Sequence, residues 1–179
     1  IEDIPYEAMI DREPITVICS KMGWIRAMKG HVDLGQEQKF KDGDGPRFAF
    51  HAETTDKILL VGANGRFFTL VGVNLPGGRG MGEPVRLMVD LPNDTEIVDL
   101  VIHRPGEKWL IASSAGDGFI LPSDEVVAQT KAGKQVQTLG AGVKTVLCRR
   151  VAGDAVAVVG DNRKMLVFPL DELPEMAKG

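Results

Sequence analysis

Short runs of apolar and β-branched residues recur along the chain, and turns rich in glycine, aspartate and asparagine separate them. The runs either alternate with polar positions or are continuous over a few residues, which is typical of strands. The period of an amphipathic helix is nearly absent. The pattern therefore predicts an all-β protein. The predicted strands cover residues 15–19, 24–28, 47–51, 57–61, 66–71, 85–91, 97–102, 108–112, 118–121, 145–150, 155–159 and 164–168.

Turns of similar sequence recur at regular intervals, which indicates an internal repeat. If Gly23, Gly65, Gly116 and Arg163 are equivalent, successive repeats are 42, 51 and 47 residues apart. A four-stranded unit of about 45 residues has the size of a propeller blade, and it buries both faces only against its neighbours. We therefore predict a propeller-like array of about four four-stranded blades, with the last blade incomplete in this sequence.

The chain divides into a short lead-in and one body. Residues 1–13 are acidic and show no sustained periodicity, so we interpret them as a linker. Residues 14–179 carry the repeats and form the predicted domain. One short helical turn is expected within residues 122–129, with Ser123 or Asp124 as its N-cap.

The distribution of charge changes what the net charge suggests about partners. A net charge of −4 and an isoelectric point near 5.4 are unfavourable for a nucleic-acid-binding domain. Acidic residues are concentrated, however, in residues 1–13 and 171–179, and the chain between these ends carries 17 acidic and 19 basic residues. A weakly positive body can still present a strongly positive surface if its bases gather on one side.

Nothing in the sequence points to a membrane or secreted protein. No apolar run approaches the roughly 18 residues of a membrane span, and no basic segment is followed by the apolar core of a signal peptide. Cys19 and Cys148 lie in apolar runs of different repeats and are expected to be buried free thiols in a reducing, cytoplasmic compartment. Trp24 and Trp109 lie on predicted hairpin strands and are expected in the core.

Residues that support catalysis or metal binding are not grouped in the sequence. His31, His51 and His103 fall in different repeats without ligand spacing. Residues 42–45 lack the alternating acids and closing glutamate of a calcium loop. Residues 75–84 are glycine-rich but contain no Gly-Lys-Ser/Thr and precede no helical pattern. We therefore expect neither a metal site nor a catalytic residue.

Several long segments, in the same order along the chain, are similar to one known family. They are residues 13–18, 23–26, 29–31, 41–44, 75–84 and 112–119, together with residues 129–136. These segments resemble the C-terminal domain of the A subunit of bacterial DNA topoisomerase IV, and residues 129–136 resemble the repeat signature shared with the gyrase A subunit. The resemblance extends over essentially the whole chain from residue 13.

The resemblance implies a β-pinwheel, which is a propeller-like array whose neighbouring blades exchange a strand. It also implies that a positively charged outer edge binds and bends duplex DNA and presents it to the enzyme's catalytic core for decatenation and supercoil relaxation. A gyrase-type DNA-wrapping domain is the nearest alternative. Gyrase A subunits carry a Gln-Arg-Arg-Gly-Gly-Lys-Gly-type box, and its absence here favours topoisomerase IV.

By the same resemblance, catalysis belongs to other parts of the parent enzyme. The catalytic tyrosine of the family follows an arginine, whereas the only tyrosine here, Tyr6, follows Pro5. We expect no cofactor in this chain, with ATP and Mg²⁺ used by the parent enzyme. The expected partners are duplex DNA, the B subunit of the enzyme and the rest of a dimeric A subunit, with no small-molecule substrate. The domain itself is expected to be monomeric and, in the cell, associated with the nucleoid, with the parent enzyme near the inner membrane face.

Basic residues recur beside the turns and glycine-rich loops of successive repeats. Repetition about an axis places equivalent positions on one rim, and glycine lets backbone amides approach phosphates. An ordinary solvated surface is the alternative interpretation of these bases. The candidate DNA-binding residues are Arg26, Lys29, Lys39, Lys41, Arg66, Arg79, Arg86, Lys131, Lys134 and Lys164.

Two further functions are compatible with a repeat array of this kind. A protein-interaction propeller would present its loops to a peptide partner, and its binding would depend only weakly on salt. A propeller enzyme would need carboxylates or histidines that converge at the axis, and the sequence shows no such set. Steep salt dependence of duplex binding distinguishes the DNA-binding interpretation from the peptide-binding one.

Overall fold

A computed structural model of the chain describes residues 11–127, 130–153, 155–159, 165–176 and 178. Regular structure in these residues consists of strands and short 3₁₀ turns, which confirms the all-β prediction. No helix in this part of the chain is long and apolar enough to cross a membrane. The strands are β1 (Pro14–Ser20), β2 (Trp24–Lys29), β3 (Pro46–Glu53), β4 (Lys57–Gly62), β5 (Arg66–Val71), β6 (Glu83–Pro84), β7 (Ile97–Ile102), β8 (Lys108–Ser113), β9 (Gly118–Pro122), β10 (Lys134–Gln135), β11 (Thr145–Arg150), β12 (Ala155–Val159) and β13 (Met165–Pro169).

Each sheet is built on an antiparallel hairpin of consecutive strands. The hairpins are β1–β2, β4–β5, β8–β9 and β12–β13. The first sheet has the order β3-β1-β2-β6, the second β10-β5-β4-β7 and the third β11-β8-β9, while β12 pairs with β13 in a fourth. β3 therefore pairs with the hairpin that precedes it, and the chain then crosses to the next sheet; β7 and β11 do the same.

The chain also returns from each new hairpin to the sheet before it. After β5, the strand β6 pairs with β2, so that Pro84 lies opposite Trp24. After β9, the strand β10 pairs with β5, so that Gln135 lies opposite Arg66. In β9, the N–H of Ile120 donates to the carbonyl of Pro174 at 2.8 Å. This exchange of strands between neighbouring sheets is the β-pinwheel arrangement that the resemblance implied.

The core fills the spaces between successive sheets. β4 is buried along most of its length, and its alternate residues enter different clusters: Ile58 and Leu60 pack towards the first sheet, Leu59 and Val61 towards the third. A strand that is buried on both faces needs a continuous apolar run rather than an alternating one. The apolar run of the second repeat therefore reflects its position between two sheets.

The segment after the first glycine-rich loop differs from its prediction. The sequence predicts a strand over residues 85–91, but the structure has the two-residue strand β6 followed by a 3₁₀ turn at Val85–Leu87. The N–H of Val89 donates to the carbonyl of Val85 at 3.0 Å, and both side chains are buried. A spacing of four residues between buried positions is a helical period, so the strand prediction was wrong there.

The helical turn expected in residues 122–129 is present as a 3₁₀ turn at Ser123–Glu125. Its N-cap is Pro122 and no side chain caps it, so the predicted cap was wrong. Ser123 is instead buried, and its hydroxyl lies 2.6 Å from Nδ1 of His103. Burial lowers the pKa of His103, and the nearby carboxylate of Asp124 opposes this effect.

The end of the lead-in is attached to the turn between β3 and β4. The N–H of Glu13 donates to Oγ1 of Thr54 at 3.0 Å, and the Thr54 N–H donates back to the Glu13 carbonyl at 2.9 Å. Arg12 forms an ion pair with Glu53 on the surface. These contacts attach residues 12 and 13 to the turn, while most of the predicted linker, residues 1–10, lies outside the described residues.

Candidate nucleic-acid interface

Each sheet has two edges, and the strands that return to a previous sheet mark one of them. The strands at the other edge are β3, β7 and β11. β3 contacts β7 and β7 contacts β11, so the sheets converge on that side. β6 and β10 lie at the opposite edges of the first and second sheets. The two glycine-rich loops that lead into β6 and β10 therefore lie on the outer edge.

Glycine is required where each of these loops meets its sheet. Gly82 and Gly133 both have positive φ, at +83° and +70°. A Cβ on Gly82 would overlap the carbonyl of Ile25, and one on Gly133 would lie 2.6 Å from the carbonyl of Phe67. The two glycines hold equivalent positions, immediately before β6 and β10, because only a residue without a side chain passes this close to the neighbouring backbone.

In the first sheet, the structure brings four of the predicted bases to this outer edge. Lys29 and Arg79 are exposed and line the same surface depression, whose floor is formed by Ala27, Met28, Gly77 and Gly78. Lys39 and Lys41 are exposed on the adjacent loop of residues 30–46. Lys41 Nζ lies 3.5 Å from the centroid of the Trp24 ring. Trp24 is only half-buried, so its predicted core position was partly wrong.

Arg26 does not share this exposure. Its residue exposure is 4%, and Nη1 donates to the carbonyl of Gly80 at 2.6 Å while Nη2 donates to the carbonyl of Lys39 at 3.0 Å. The guanidinium is therefore engaged inside the domain. We correct the sequence interpretation here, because a buried side chain with both ends bonded to main-chain carbonyls is not presented to a phosphate.

In the second sheet, Lys134 is exposed in β10 and Lys131 is exposed in the loop just before it. The ammonium of Lys134 donates to the carbonyl of Glu125. The carbonyl of Lys131 accepts a hydrogen bond of 2.8 Å from the N–H of Asp90, which follows the 3₁₀ turn after β6. The segment that follows β6 is thus joined directly to the basic loop of the second sheet. Arg66 is half-buried opposite Gln135.

One of the predicted bases, Arg86, lies away from this edge. Arg86 is half-buried and donates from Nη2 to the carbonyl of Thr95 at 2.8 Å. It lines a separate depression of about 360 Å³ with Lys21, Arg47, Asp94 and Glu96. Arg86 is held in this position by its hydrogen bonds to carbonyls of the loop of residues 92–95. Lys164 lies outside the described residues.

Acidic residues limit the extent of the basic surface. Glu83 and Asp90 are exposed between the two basic loops. At the third sheet, Glu175 takes the position of Gly77 beside the returning strand and forms an ion pair with Lys108 at 2.6 Å. Asp171 and Glu172 precede it. The outer edge is therefore basic at the first two sheets and acidic at the described part of the third.

Two histidines that the sequence places in different repeats lie together. The rings of His31 and His51 stack with their centroids 4.6 Å apart. Nε2 of His31 lies 3.0 Å from the carbonyl of Ala52, and Nε2 of His51 lies 2.6 Å from that of Val32. Among the residues that the structure describes, no group of three or more His, Cys, Asp or Glu side chains is arranged to hold a metal ion.

Comparison with known proteins finds relatives in the family that the sequence resembles. The chain is similar to the A subunit of DNA topoisomerase 4 from three bacteria: 50% identical over 177 residues in Caulobacter vibrioides, 48% over 172 in Rickettsia bellii and 32% over 173 in Escherichia coli K12. These alignments include at least 96% of this chain but only 23% of each relative. No family model matches the sequence.

Solved structures share the arrangement of sheets. The C-terminal domain of Escherichia coli ParC has a TM-score of 0.86 and 30% identity, covering 93% of this chain and 69% of that one. A further C-terminal domain of DNA topoisomerase IV has a TM-score of 0.80 and 19% identity, and this chain covers 55% of it. The C-terminal domain of DNA gyrase A has a TM-score of 0.62 and 16% identity, and this chain covers 58% of it. The latter two are similar in fold alone.

Proposed function

Because the chain belongs to the family of C-terminal domains of the DNA topoisomerase IV A subunit, we propose that it binds duplex DNA without sequence preference on the outer edge of its first two sheets. The observation that supports this best is the shared depression lined by Lys29 and Arg79. Lys39, Lys41, Lys131 and Lys134 extend the same edge.

The chemistry of these side chains suits a phosphate backbone. Exposed ammonium and guanidinium groups neutralise phosphates and release counterions, and they carry no information about base sequence. The glycine-rich loop contributes in a second way, because Gly77 and Gly80 leave open space where a side chain would stand. Backbone N–H groups there are accessible to an approaching phosphate.

The repeat provides a reason for bending. β6 and β10 are equivalent strands on successive sheets, and the hydrogen bond from Asp90 to Lys131 joins the segment that follows β6 to the loop that precedes β10. A duplex that contacts both loops follows the curvature of the array. Smooth bending of 20–30 base pairs by some tens of degrees costs roughly 1–6 kcal/mol, which several phosphate contacts offset.

In the parent enzyme, the domain presents the bound segment to the catalytic core for decatenation and supercoil relaxation. The partners are the B subunit of the enzyme and the rest of a dimeric A subunit, while strand passage uses ATP and Mg²⁺ bound elsewhere. This part of the proposal rests on family membership, because the chain spans about a quarter of the length of its curated relatives. Its setting is the nucleoid in the bacterial cytoplasm.

Duplex binding can be tested with two triple variants of equal charge change. Lys29→Glu, Arg79→Glu and Lys131→Glu reverse charge on the proposed surface, whereas Lys21→Glu, Arg104→Glu and Lys144→Glu reverse exposed bases in turns away from the glycine-rich loops. Fluorescence anisotropy with a labelled duplex of about 30 base pairs, at about 50 and 200 mM salt, measures affinity and its salt dependence.

The surface variant is expected to lose most of the affinity, and the control variant to lose much less. Equal losses in the two variants would mean that net charge alone controls binding. Retention of wild-type affinity by a folded surface variant would reject the proposed surface. Affinity that is high but independent of salt would favour a different mode of recognition.

A further inference from the structure

Arg26 occupies a position that the second and third sheets fill with phenylalanine. Arg26 lies opposite Ile18 in the first hairpin, Phe68 lies opposite Leu60 in the second, and Phe119 opposite Ile111 in the third. The next residue along each of the first and third hairpin strands bridges to the returning segment, at Gly77 and at Glu175, which fixes the equivalence. All three side chains are buried, with exposures of 4% or less.

A phenylalanine at this position stabilises its sheet by apolar packing alone, whereas a guanidinium must be satisfied by hydrogen bonds after it leaves water. Arg26 is satisfied by two carbonyls from loops that are distant in sequence. Its Nη1 bonds Gly80 in the glycine-rich loop, and its Nη2 bonds Lys39 in the loop between β2 and β3. The ring of Phe40 lies 5.7 Å from Cζ and covers the group.

The two carbonyls that Arg26 binds belong to, or adjoin, the bases of the proposed DNA surface. Lys39 is one of these bases, and Gly80 directly follows Arg79. The guanidinium is a planar fork with fixed spacing between its donors, so two bonds to it fix the separation of the two backbones. Arg79 and Lys39 are therefore held at a set distance by a residue that does not reach the surface.

We propose that Arg26 is a positioning residue for DNA binding: it ties the two basic loops of the first sheet together so that Arg79, Lys29, Lys39 and Lys41 act as one phosphate-binding surface. This inference rests on the proposed function. It assigns Arg26 an indirect role in place of the direct phosphate contact that the sequence suggested. Without the two bonds, the loops separate and fewer bases engage one duplex at the same time.

Two substitutions test this role, so that the test does not depend on the folding of a single variant. Arg26→Phe installs the residue that the second and third sheets carry at this position, so the blade keeps an apolar side chain while the link between the loops is lost. Arg26→Lys keeps the positive charge, but a single ammonium does not reproduce the rigid two-pronged geometry. Phe68→Leu, at the equivalent position of the second sheet, serves as a matched control for altered packing.

Three measurements are made on each folded variant: thermal unfolding, amide exchange of residues 30–46 and 75–84, and duplex affinity over a range of salt. For Arg26→Phe we expect faster exchange in both loops, affinity about 5- to 20-fold weaker at about 100 mM salt, and a shallower salt slope because fewer phosphates are neutralised. Arg26→Lys is expected to lie between this variant and wild type. Phe68→Leu is expected to keep the wild-type salt slope.

A wild-type salt slope and affinity in Arg26→Phe would overturn the positioning role while leaving the proposed function intact. Unchanged exchange in both loops would also overturn it, because the link would then not control them. If the wild-type domain itself fails to bind duplex DNA, the proposed function fails, and the positioning role falls with it.

Discussion

A Cβ atom on Gly133 would lie 2.6 Å from the carbonyl oxygen of Phe67, closer than side chains approach a backbone in folded proteins. Gly133 also has a φ of +70°, in the left-handed region that favours glycine. Glycine is therefore required just before β10 for two reasons: its dihedral angle is unfavourable for other residues, and no space is left beside β5 for a side chain. This is the point where the returning strand joins the previous sheet.

Gly133→Ala is consequently expected to destabilise the domain by more than dihedral strain alone. Left-handed backbone costs a non-glycine residue about 1–3 kcal/mol, and displacement of the backbone around Phe67 adds to this. Gly142→Ala is the matched control, since Gly142 has a φ of +74° with nothing within 4 Å of the added atom. Urea unfolding of both variants measures the difference, and equal losses of stability would show that β10 shifts at no cost.

The alternating burial of β4 leads to a second prediction. Leu59→Ala and Leu60→Ala each remove a fully buried side chain and are expected to cost about 2–5 kcal/mol of unfolding free energy. The cavities lie on opposite faces of the strand. Amide exchange should therefore increase mainly in the first sheet for Leu60→Ala and mainly in the third for Leu59→Ala. The same exchange pattern in both variants would contradict the two-core arrangement.

The two cysteines are expected to be unreactive in the folded protein. Burial raises the pKa of the Cys19 thiol to about 12, and it raises the pKa of Cys148 well above its usual range. The thiolate is the reactive form, and almost none is present near pH 8. A thiol-specific reagent should label neither residue in the native domain and both in urea. Rapid labelling under native conditions would show that the cores open frequently.

Asp44 should contribute stability that depends on pH. Its carboxylate accepts hydrogen bonds from the N–H groups of Met22 at 3.0 Å and Gly45 at 2.8 Å. Burial acts to raise the pKa of Asp44, but hydrogen bonds from Ser20, Gly45 and Met22 outweigh burial and lower the pKa overall. The folded state therefore binds a proton less readily than the unfolded state, whose aspartate pKa is about 3.9.

The contribution of Asp44 is accordingly complete above about pH 5 and is lost as the pH falls through 3.9 towards the lower folded-state pKa. Asp44→Asn removes the carboxylate. The variant should be less stable than wild type at pH 7, with a difference that shrinks by about pH 3. Urea unfolding at several pH values gives this comparison, and a constant difference would mean that the charge of Asp44 is not involved.

Trp24 offers a direct report of binding at the first sheet. Its ring is half-buried beneath Lys41, whereas Trp109 is only 3% exposed in the core. Titration of Trp109→Phe with duplex DNA should change the fluorescence of Trp24, because phosphate contact moves Lys41 away from the ring. Trp24→Phe should show no change. A signal from Trp109 alone would place the duplex elsewhere on the domain.

The sequence was sufficient for most of the longer strands but not for the shortest strands or for every pairing. Continuous or alternating apolar runs identify β1, β4 and β8, because these strands are long and strongly buried. β6 and β10 each have two residues and no apolar pattern, so their places in neighbouring sheets came only from the family resemblance. The 3₁₀ turn at Val85–Leu87 was missed because a short apolar run fits a strand or a helix equally well.

The candidate site shows a similar division. Lys29, Arg79 and Lys131 are exposed in the structure, and their contact with DNA stays a prediction. Arg26 looked like another surface base, since arginine is rarely buried. The register of the hairpins shows that the equivalent residues are Phe68 and Phe119. A phenylalanine at the same position in two other repeats was the signal that could have indicated burial of Arg26.

The return of β6 and β10 to earlier sheets means that no repeat of this chain is a separable unit. A protein trimmed after β5 would retain all of the first hairpin yet lose the strand that covers β2, and with it the loop that carries Arg79. Removal of one repeat would likewise damage two sheets at once. Shortened versions of the domain should therefore end beyond the returning strand, and swaps of blades between relatives must cut within sheets rather than between apparent sequence repeats.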